Sequence, residues 1–236
     1  MSKSDLNQLR RLVIKIGSSL LIDAEGRLDR AWLQSLSDDV AELRQKGCEV
    51  LIVSSGAVAV GSETLGIDRH RARLEGLQAA AAAGQVQLVH AYQDALATHG
   101  IRAAQILLTP DDTEVKRRFL NARGTLEKLL EHDVVPVINE NDTVATDELR
   151  YGDNDRLAAR VAQIVMADGL ILLSDVDGLY STDPRADSSA EFIQMLTSID
   201  DAHLAMAGES GTAMGSGGML TKLQAARIAT HAGCAT

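Results

Sequence analysis

Short apolar runs without a polar face alternate along this chain with longer stretches of helical period. Leu12 to Ile16 is such a run, interrupted only by Lys15 and closed by Gly17-Ser18-Ser19, which predicts a buried strand ending in a small-residue turn. A helical pattern covers residues 30–46. A second strand is predicted at Glu49 to Val53, and Ser54-Ser55-Gly56-Ala57 repeats the small-residue passage from strand to helix. Leu77 to Gly84 contains five alanines and joins Gln85 to Leu96 as one buried helix, because alanine is the strongest helix former and packs closely. Further strands are predicted at Ala103 to Leu108, Val134 to Asn139 and Leu170 to Leu173. Helical patterns lie near Asp112 to His132, Arg156 to Met166 and Leu223 to His231.

Apolar strands alternating with helices predict an α/β fold, a largely parallel sheet covered on both sides, with ligands at the carboxyl ends of the strands. With only three prolines and glycines clustered at turns, no linker divides the chain, so residues 1–236 read as one domain. No repeat of solenoid or propeller period is visible. His231 to Thr236 reads as a helix end and turn leading into a further strand, and the natural chain is expected to continue.

Composition changes this picture mainly by exclusion. Hydrophobic residues make up 45% of the 236 and charged residues 24%, so the chain can bury a core. The formal charge of −10 repels nucleic-acid backbones, while local lysines and backbone N–H groups can still gather a small anion in one cleft. Cys48 and Cys234 are the only cysteines, with no C-x-x-C spacing, so two reduced thiols are expected in place of a disulfide or zinc site. Neither a secretory signal nor an apolar run of spanning length is present, which places the chain in the cytoplasm and away from membranes.

Several polar groups sit where strands end. Lys15 is costly inside an apolar strand unless an anion or carboxylate meets it, and the adjoining Gly17-Ser18-Ser19 turn favours an anion site over a lysine that snorkels to solvent. Val134 to Asn139 runs into Glu140-Asn141-Asp142, and Tyr151-Gly152-Asp153-Asn154-Asp155 precedes a helix. Acids and amides at successive strand exits suit an amino acid, whose ammonium needs carboxylates and whose carboxylate needs donors; such clusters also cap helices and fill turns. Asp175-Val176-Asp177-Gly178-Leu179-Tyr180 closes another strand and suits a nucleoside edge. It lacks the glycine and distal glutamate offsets of a calcium loop.

Glycine-rich residues 208–218 end in Gly215-Ser216-Gly217-Gly218-Met219-Leu220-Thr221-Lys222 before a helix. Inward N–H groups, a helix start and Lys222 could cradle phosphate there, though neither the P-loop nor the dinucleotide fingerprint is matched, and the stretch alone also suits a surface loop. No H-E-x-x-H or G-x-S-x-G is present, so zinc hydrolysis and serine acyl transfer are disfavoured.

Taken in order, Val13-Ile14-Lys15-Ile16-Gly17-Ser18-Ser19, Ser54-Ser55-Gly56-Ala57, Phe119-Leu120-Asn121-Ala122-Arg123, Val137-Ile138-Asn139-Glu140-Asn141-Asp142, Gly152-Asp153-Asn154-Asp155 and Gly217-Gly218-Met219 with Thr221-Lys222 resemble the amino acid kinase family. Within it they resemble members that phosphorylate the γ-carboxylate of glutamate, the first step of proline biosynthesis. The resemblance implies a three-layer αβα sandwich of about eight mainly parallel strands, with ATP, magnesium carried by ATP, and L-glutamate along the carboxyl edge.

It assigns Lys15 and Lys222 to either side of the transferred phosphoryl group, with Asp155 holding both lysines. Ser55, Gly56, Ala57, Asn139, Asp142, Asp153 and Asn154 would bind glutamate, with Asp142 on the ammonium. Lys15, Ser174, Asp175, Ser216, Gly217, Gly218, Met219, Leu220, Thr221 and Lys222 would bind ATP, and no protein residue is assigned to the metal. Ser174 and Ser216 stand where relatives often carry threonine, and Arg150 where lysine is common.

The resemblance further implies a dimer or tetramer, feedback inhibition by proline, and delivery of the labile acyl phosphate to a glutamyl phosphate reductase. Many relatives also append a PUA domain. Other readings of the same fold are a kinase of another carboxylate, carbamate or UMP, and an amino acid sensor without catalysis. Loss of Lys15 or Lys222 would mark the sensor.

Overall fold

The computed structural model describes residues 8–23, 25–69, 71–144, 154–209 and 218–236. Strand β1 (Arg11–Ile16) is followed by a single helical turn, α1 (Ser18–Leu21), and by α2 (Arg30–Gln45), whose N-terminus is capped by the Asp29 carboxylate accepting from Trp32 N–H at 2.9 Å. Strand β2 (Glu49–Ser54) enters α3 (Ala57–Leu65) through Gly56, at φ 106°, a left-handed conformation that a side chain would strain. Helix α4 (Leu74–Ala97), strand β3 (Arg102–Leu108), and helices α5 (Pro110–Glu114) and α6 (Lys116–Glu131) follow. Then come β4 (Val134–Glu140), a 3₁₀ turn at Asp142–Val144, α7 (Asn154–Ile164) and β5 (Gly169–Leu173). The short β6 (Leu179–Tyr180) and β7 (Phe192–Ile193) precede α8 (Asp201–Glu209) and α9 (Met219–His231).

Among the described residues the main sheet is parallel throughout, in the order β3-β4-β2-β1-β5, and β6 and β7 form a small antiparallel ribbon. Because side chains alternate across a strand, each strand feeds two cores. Leu12, Ile14, Ile16, Val50, Ile52, Val135 and Val137 pack against α2 and α4 through Leu33, Leu36, Val40, Leu88 and Tyr92. Val13, Leu51, Val53, Ile138 and Leu170 pack on the opposite face against α6, α7 and α9 through Leu126, Leu130, Leu157, Val161, Ala225 and Ala229. Each fully buried Leu or Ile contributes about 1.5–3 kcal/mol, so both helical layers are firmly held.

The same parity sorts the polar residues. Lys15 falls on Val13's face, toward α7 and α9, whereas Asn139 falls on the face of Val135 and Val137, toward α4. Helices α3 and α4 cross at glycines: a Cβ on Gly61 would lie 1.7 Å from Ala80 O, and one on Gly84 would lie 1.9 Å from Ala57 O.

Several expected elements differ. The helix expected over Asp112 to His132 is two helices, because Val115 is extended (φ −79°, ψ 115°) and a capping box formed by Thr109 and Asp112 starts the first one upstream. Helix α9 begins at Met219, four residues before the expected Leu223, and Gly208 belongs to α8. Ser18 and Ser19 lie in α1. The main sheet has five strands among the described residues, where the resemblance implied about eight, and on the side of β5 away from β1 Ala235 forms a parallel bridge to Gly169. No helix among the described residues is long and apolar enough to cross a membrane.

Candidate active site

Lys15, Asp155 and Lys222 meet at the carboxyl edge of the sheet. Strand β1, between β2 and β5, carries Lys15 near its end, α7 presents Asp155 in its first turn, and α9 presents Lys222 in its own first turn. Lys15 Nζ lies 2.6 Å from Asp155 Oδ1 and Lys222 Nζ lies 3.3 Å from Asp155 Oδ2. Asp155 is 0% exposed and Lys15 5%. A carboxylate so deeply buried costs several kcal/mol unless paired, which the two ammonium groups supply. Each oxygen of the Asp155 carboxylate thus faces one ammonium group.

Thr221 strengthens this arrangement. Its hydroxyl lies 2.9 Å from Asp155 Oδ2 and 2.8 Å from Gly218 O, fastening the start of α9 to the start of α7. Gly218 caps α9 without a side-chain hydrogen bond, so the N–H groups of Met219, Leu220 and Thr221 keep their donor character beside Lys222.

A second polar cluster continues toward β2 and β4. Asn154 Nδ2 lies 3.1 Å from Ser54 O, 2.8 Å from Ser55 Oγ and 3.0 Å from Asn139 Oδ1. Asn139 Nδ2 donates to Gln85 Oε1 at 2.7 Å, and Tyr92 O–H donates to Ser54 Oγ at 2.9 Å. Gly56 and Ala57 form the start of α3 directly after Ser55. Asp142 begins the 3₁₀ turn after β4, and burial raises its carboxyl to about 6.

Ser174 and Asp175 follow β5, the strand paired with β1, and the Ser174 hydroxyl lies 3.2 Å from Asp175 Oδ1. Asp175 also pairs with Arg185 at 3.5 Å. A Cβ on Gly17 would lie 3.5 Å from Leu173 O and 4.0 Å from Lys15 Nζ, which places Gly17 beside both strand ends at ordinary contact distance. Asp153, Ser216 and Gly217, together with Arg150, lie outside the described residues.

The family model of the amino acid kinase family matches residues 10–236. The chain belongs to the amino acid kinase family. It is 59% identical over 232 residues to "Glutamate 5-kinase" of Paramagnetospirillum magneticum, covering 98% of this chain and 62% of that protein. It is 58% identical over 224 residues to "Glutamate 5-kinase" of Rhodospirillum rubrum, covering 94% of this chain and 60% of that protein. The chain thus spans 62% and 60% of the length of these relatives. The crystal structure of UMP kinase from Ureaplasma parvum has the same fold, with a TM-score of 0.61 at 17% identity, covering 95% of this chain and 87% of that one.

As a member of this family the chain brings together Lys15, Asp155 and Lys222 in one group, and Ser55, Asn139 and Asn154 in an adjoining one. Two contributors escaped the sequence reading. Gln85, inside the alanine-rich helix, joins the second group, and Tyr92 supports Ser54 beneath it. The one signal for Gln85 was a polar residue following a run of small apolar ones.

Proposed function

We propose that this amino acid kinase phosphorylates the γ-carboxylate of L-glutamate with ATP, giving an acyl phosphate in the first step of proline biosynthesis. The observation that carries this reading is the pair of ammonium groups, Lys15 and Lys222, on opposite oxygens of buried Asp155. Its neighbour, the Ser55, Asn139 and Asn154 cluster, supports an amino acid acceptor. So does the identity of 59% and 58% to two proteins named glutamate 5-kinase.

In this mechanism a carboxylate oxygen of glutamate attacks the γ-phosphorus of ATP, the bond to the β-phosphate oxygen breaks, and ADP leaves with that electron pair. Glutamate is already ionised near neutral pH, so no general base is required. Lys15 and Lys222 stabilise the charge that spreads over the transferring group, and Asp155 holds them in place beforehand, so little reorganisation is needed during transfer. The first turn of α9, with Gly218, Met219, Leu220 and Thr221, would cradle phosphates, Ser174 and Asp175 would meet the nucleoside, and Gly56 and Ala57 would line the acceptor region.

Asp155 meets a lysine on each oxygen, so no role in holding magnesium is assigned to it; the ion would be carried by ATP and would supply further positive charge to the transferring group. The reading extends to residues 1–236 as one kinase domain in the cytoplasm, with Asp153 in the acceptor site and Ser216 and Gly217 in the nucleotide site. It also extends to a homo-oligomer, inhibition by proline, and a reductase that takes up the acyl phosphate.

Incubating the purified chain with ATP, magnesium and hydroxylamine tests the reading, with glutamate, aspartate, acetylglutamate or UMP as the acceptor. A hydroxamate formed from glutamate alone is the expected result. Turnover with another acceptor, or none, would reject it.

The raised carboxyl of Asp142 gives a pH prediction. Burial favours its neutral form, whereas an ammonium partner needs the carboxylate, so below about pH 6 binding must first remove a proton. The KM for glutamate is expected to rise as pH falls below that value, approaching about tenfold per pH unit, and to be flat above it. Asp142→Asn should raise KM at neutral pH and abolish the slope. A slope that survives in this variant would assign the titration to another group.

A further inference from the structure

One fixed donor determines the direction of every bond in the amide cluster. The backbone N–H of Glu140 can only donate, and it meets Asn139 Oδ1 at 2.8 Å. The other atom of that amide, Nδ2, therefore faces Gln85 at 2.7 Å. A nitrogen donor needs an oxygen acceptor, so Gln85 presents Oε1, and its own Nε2 is left with no partner among the described residues. Asn154 is fixed in the same way, since both Asn139 Oδ1, at 3.0 Å, and Ser54 O, at 3.1 Å, can only accept. Its Nδ2 faces them, and its Oδ1 has no hydrogen-bond partner among the described residues. Ser55 Oγ receives Asn154 Nδ2 at 2.8 Å and so keeps its own proton to give.

Gln85 is 8% exposed, Asn154 6% and Asn139 2%, so water does little to satisfy these groups, and an unmet donor would be expensive. Without the Gln85 oxygen, the Asn139 Nδ2 donor would be buried unmet, and any displacement that relieves it would loosen the bonds its Oδ1 accepts from Glu140 N–H and Asn154 Nδ2. A buried amide chain of this kind behaves as a unit.

We propose that Gln85 is a positioning residue that holds the Asn139 amide, and through it Asn154, in the polarity the Glu140 N–H dictates, so that the chain ends in an acceptor, Asn154 Oδ1, and a donor, the Ser55 hydroxyl. Those two ends suit the ammonium and the carboxylate of an α-amino acid. The polarity stands on the bonds alone; its effect on the acceptor rests on the function proposed above.

Two near-isosteric variants separate the effects. Gln85→Met fills the same volume without an oxygen, whereas Gln85→Glu restores an acceptor at the same place. Gln85→Met is expected to raise the KM for glutamate about tenfold, leaving kcat and the KM for ATP near wild type, and Gln85→Glu to recover most of the loss. A wild-type KM in Gln85→Met would overturn the proposal, as would a Gln85→Glu variant no better than Gln85→Met. So would a parallel rise in both KM values.

Deuterium exchange of side-chain amides in the substrate-free wild-type chain, followed by NMR, needs no variant to fold. The Asn139 NH₂ protons should exchange more slowly than those of Gln85, and the reverse order would also overturn the proposal. A wild-type chain that makes no hydroxamate yet keeps this order would reject the glutamate reading while leaving the polarity standing.

Discussion

Lys222→Ala is expected to lower turnover by about 10²–10³-fold while leaving the KM for glutamate near wild type. The ammonium of Lys222 stands 3.3 Å from Asp155 Oδ2, in the first turn of a helix whose start would hold phosphates. In the proposed reaction it meets charge that grows during transfer, so its removal costs the transition state more than the bound acceptor. The fold should survive, because Lys15 remains 2.6 Å from Asp155 Oδ1 and the buried carboxylate keeps a cation. Steady-state kinetics on variant and wild type, with thermal unfolding as a control, check this. A rise in the glutamate KM with unchanged turnover would assign Lys222 to acceptor binding instead.

Gly61→Ala should have the largest effect on stability. The added carbon would sit 1.7 Å from Ala80 O, a backbone atom that no rotamer change can move, so α3 and α4 must separate. Overpacking of this kind costs about 3 kcal/mol or more, which for a chain of this size lowers Tm by about 6–12 °C. Because α4 also carries Gln85 and Tyr92 beneath Asn139 and Ser54, the folded fraction should bind glutamate more weakly too. A variant with wild-type Tm would mean that the helices yield without cost.

The alternation of strands and helices was legible because buried parallel strands have no polar face, and the helices between them keep a helical period. Lys15 was legible on its own, as a charge in an apolar strand with a small-residue exit. Its partnership with Asp155 and Lys222 was not. Lys222 and Asp155 are 67 residues apart, and only the resemblance joined them beforehand.

Gln85 was hidden because a run of alanines gives no indication of which helix face meets Asn139. That face depends on the glycine crossing of α3 and α4, a tertiary feature. The break at Val115 was equally hidden, since valine is no helix breaker, and the two-residue strands β6 and β7 are too short to show a period.

The claim on which the account depends is that two remote lysines, held by one carboxylate, close on one phosphoryl group. A crystal structure of the chain with ADP, magnesium, aluminium fluoride and glutamate tests it most directly. The account predicts both Lys15 Nζ and Lys222 Nζ about 3 Å from the fluoride group, with Asp155 still beneath them. A fluoride group that only one lysine reaches, or neither, would contradict it.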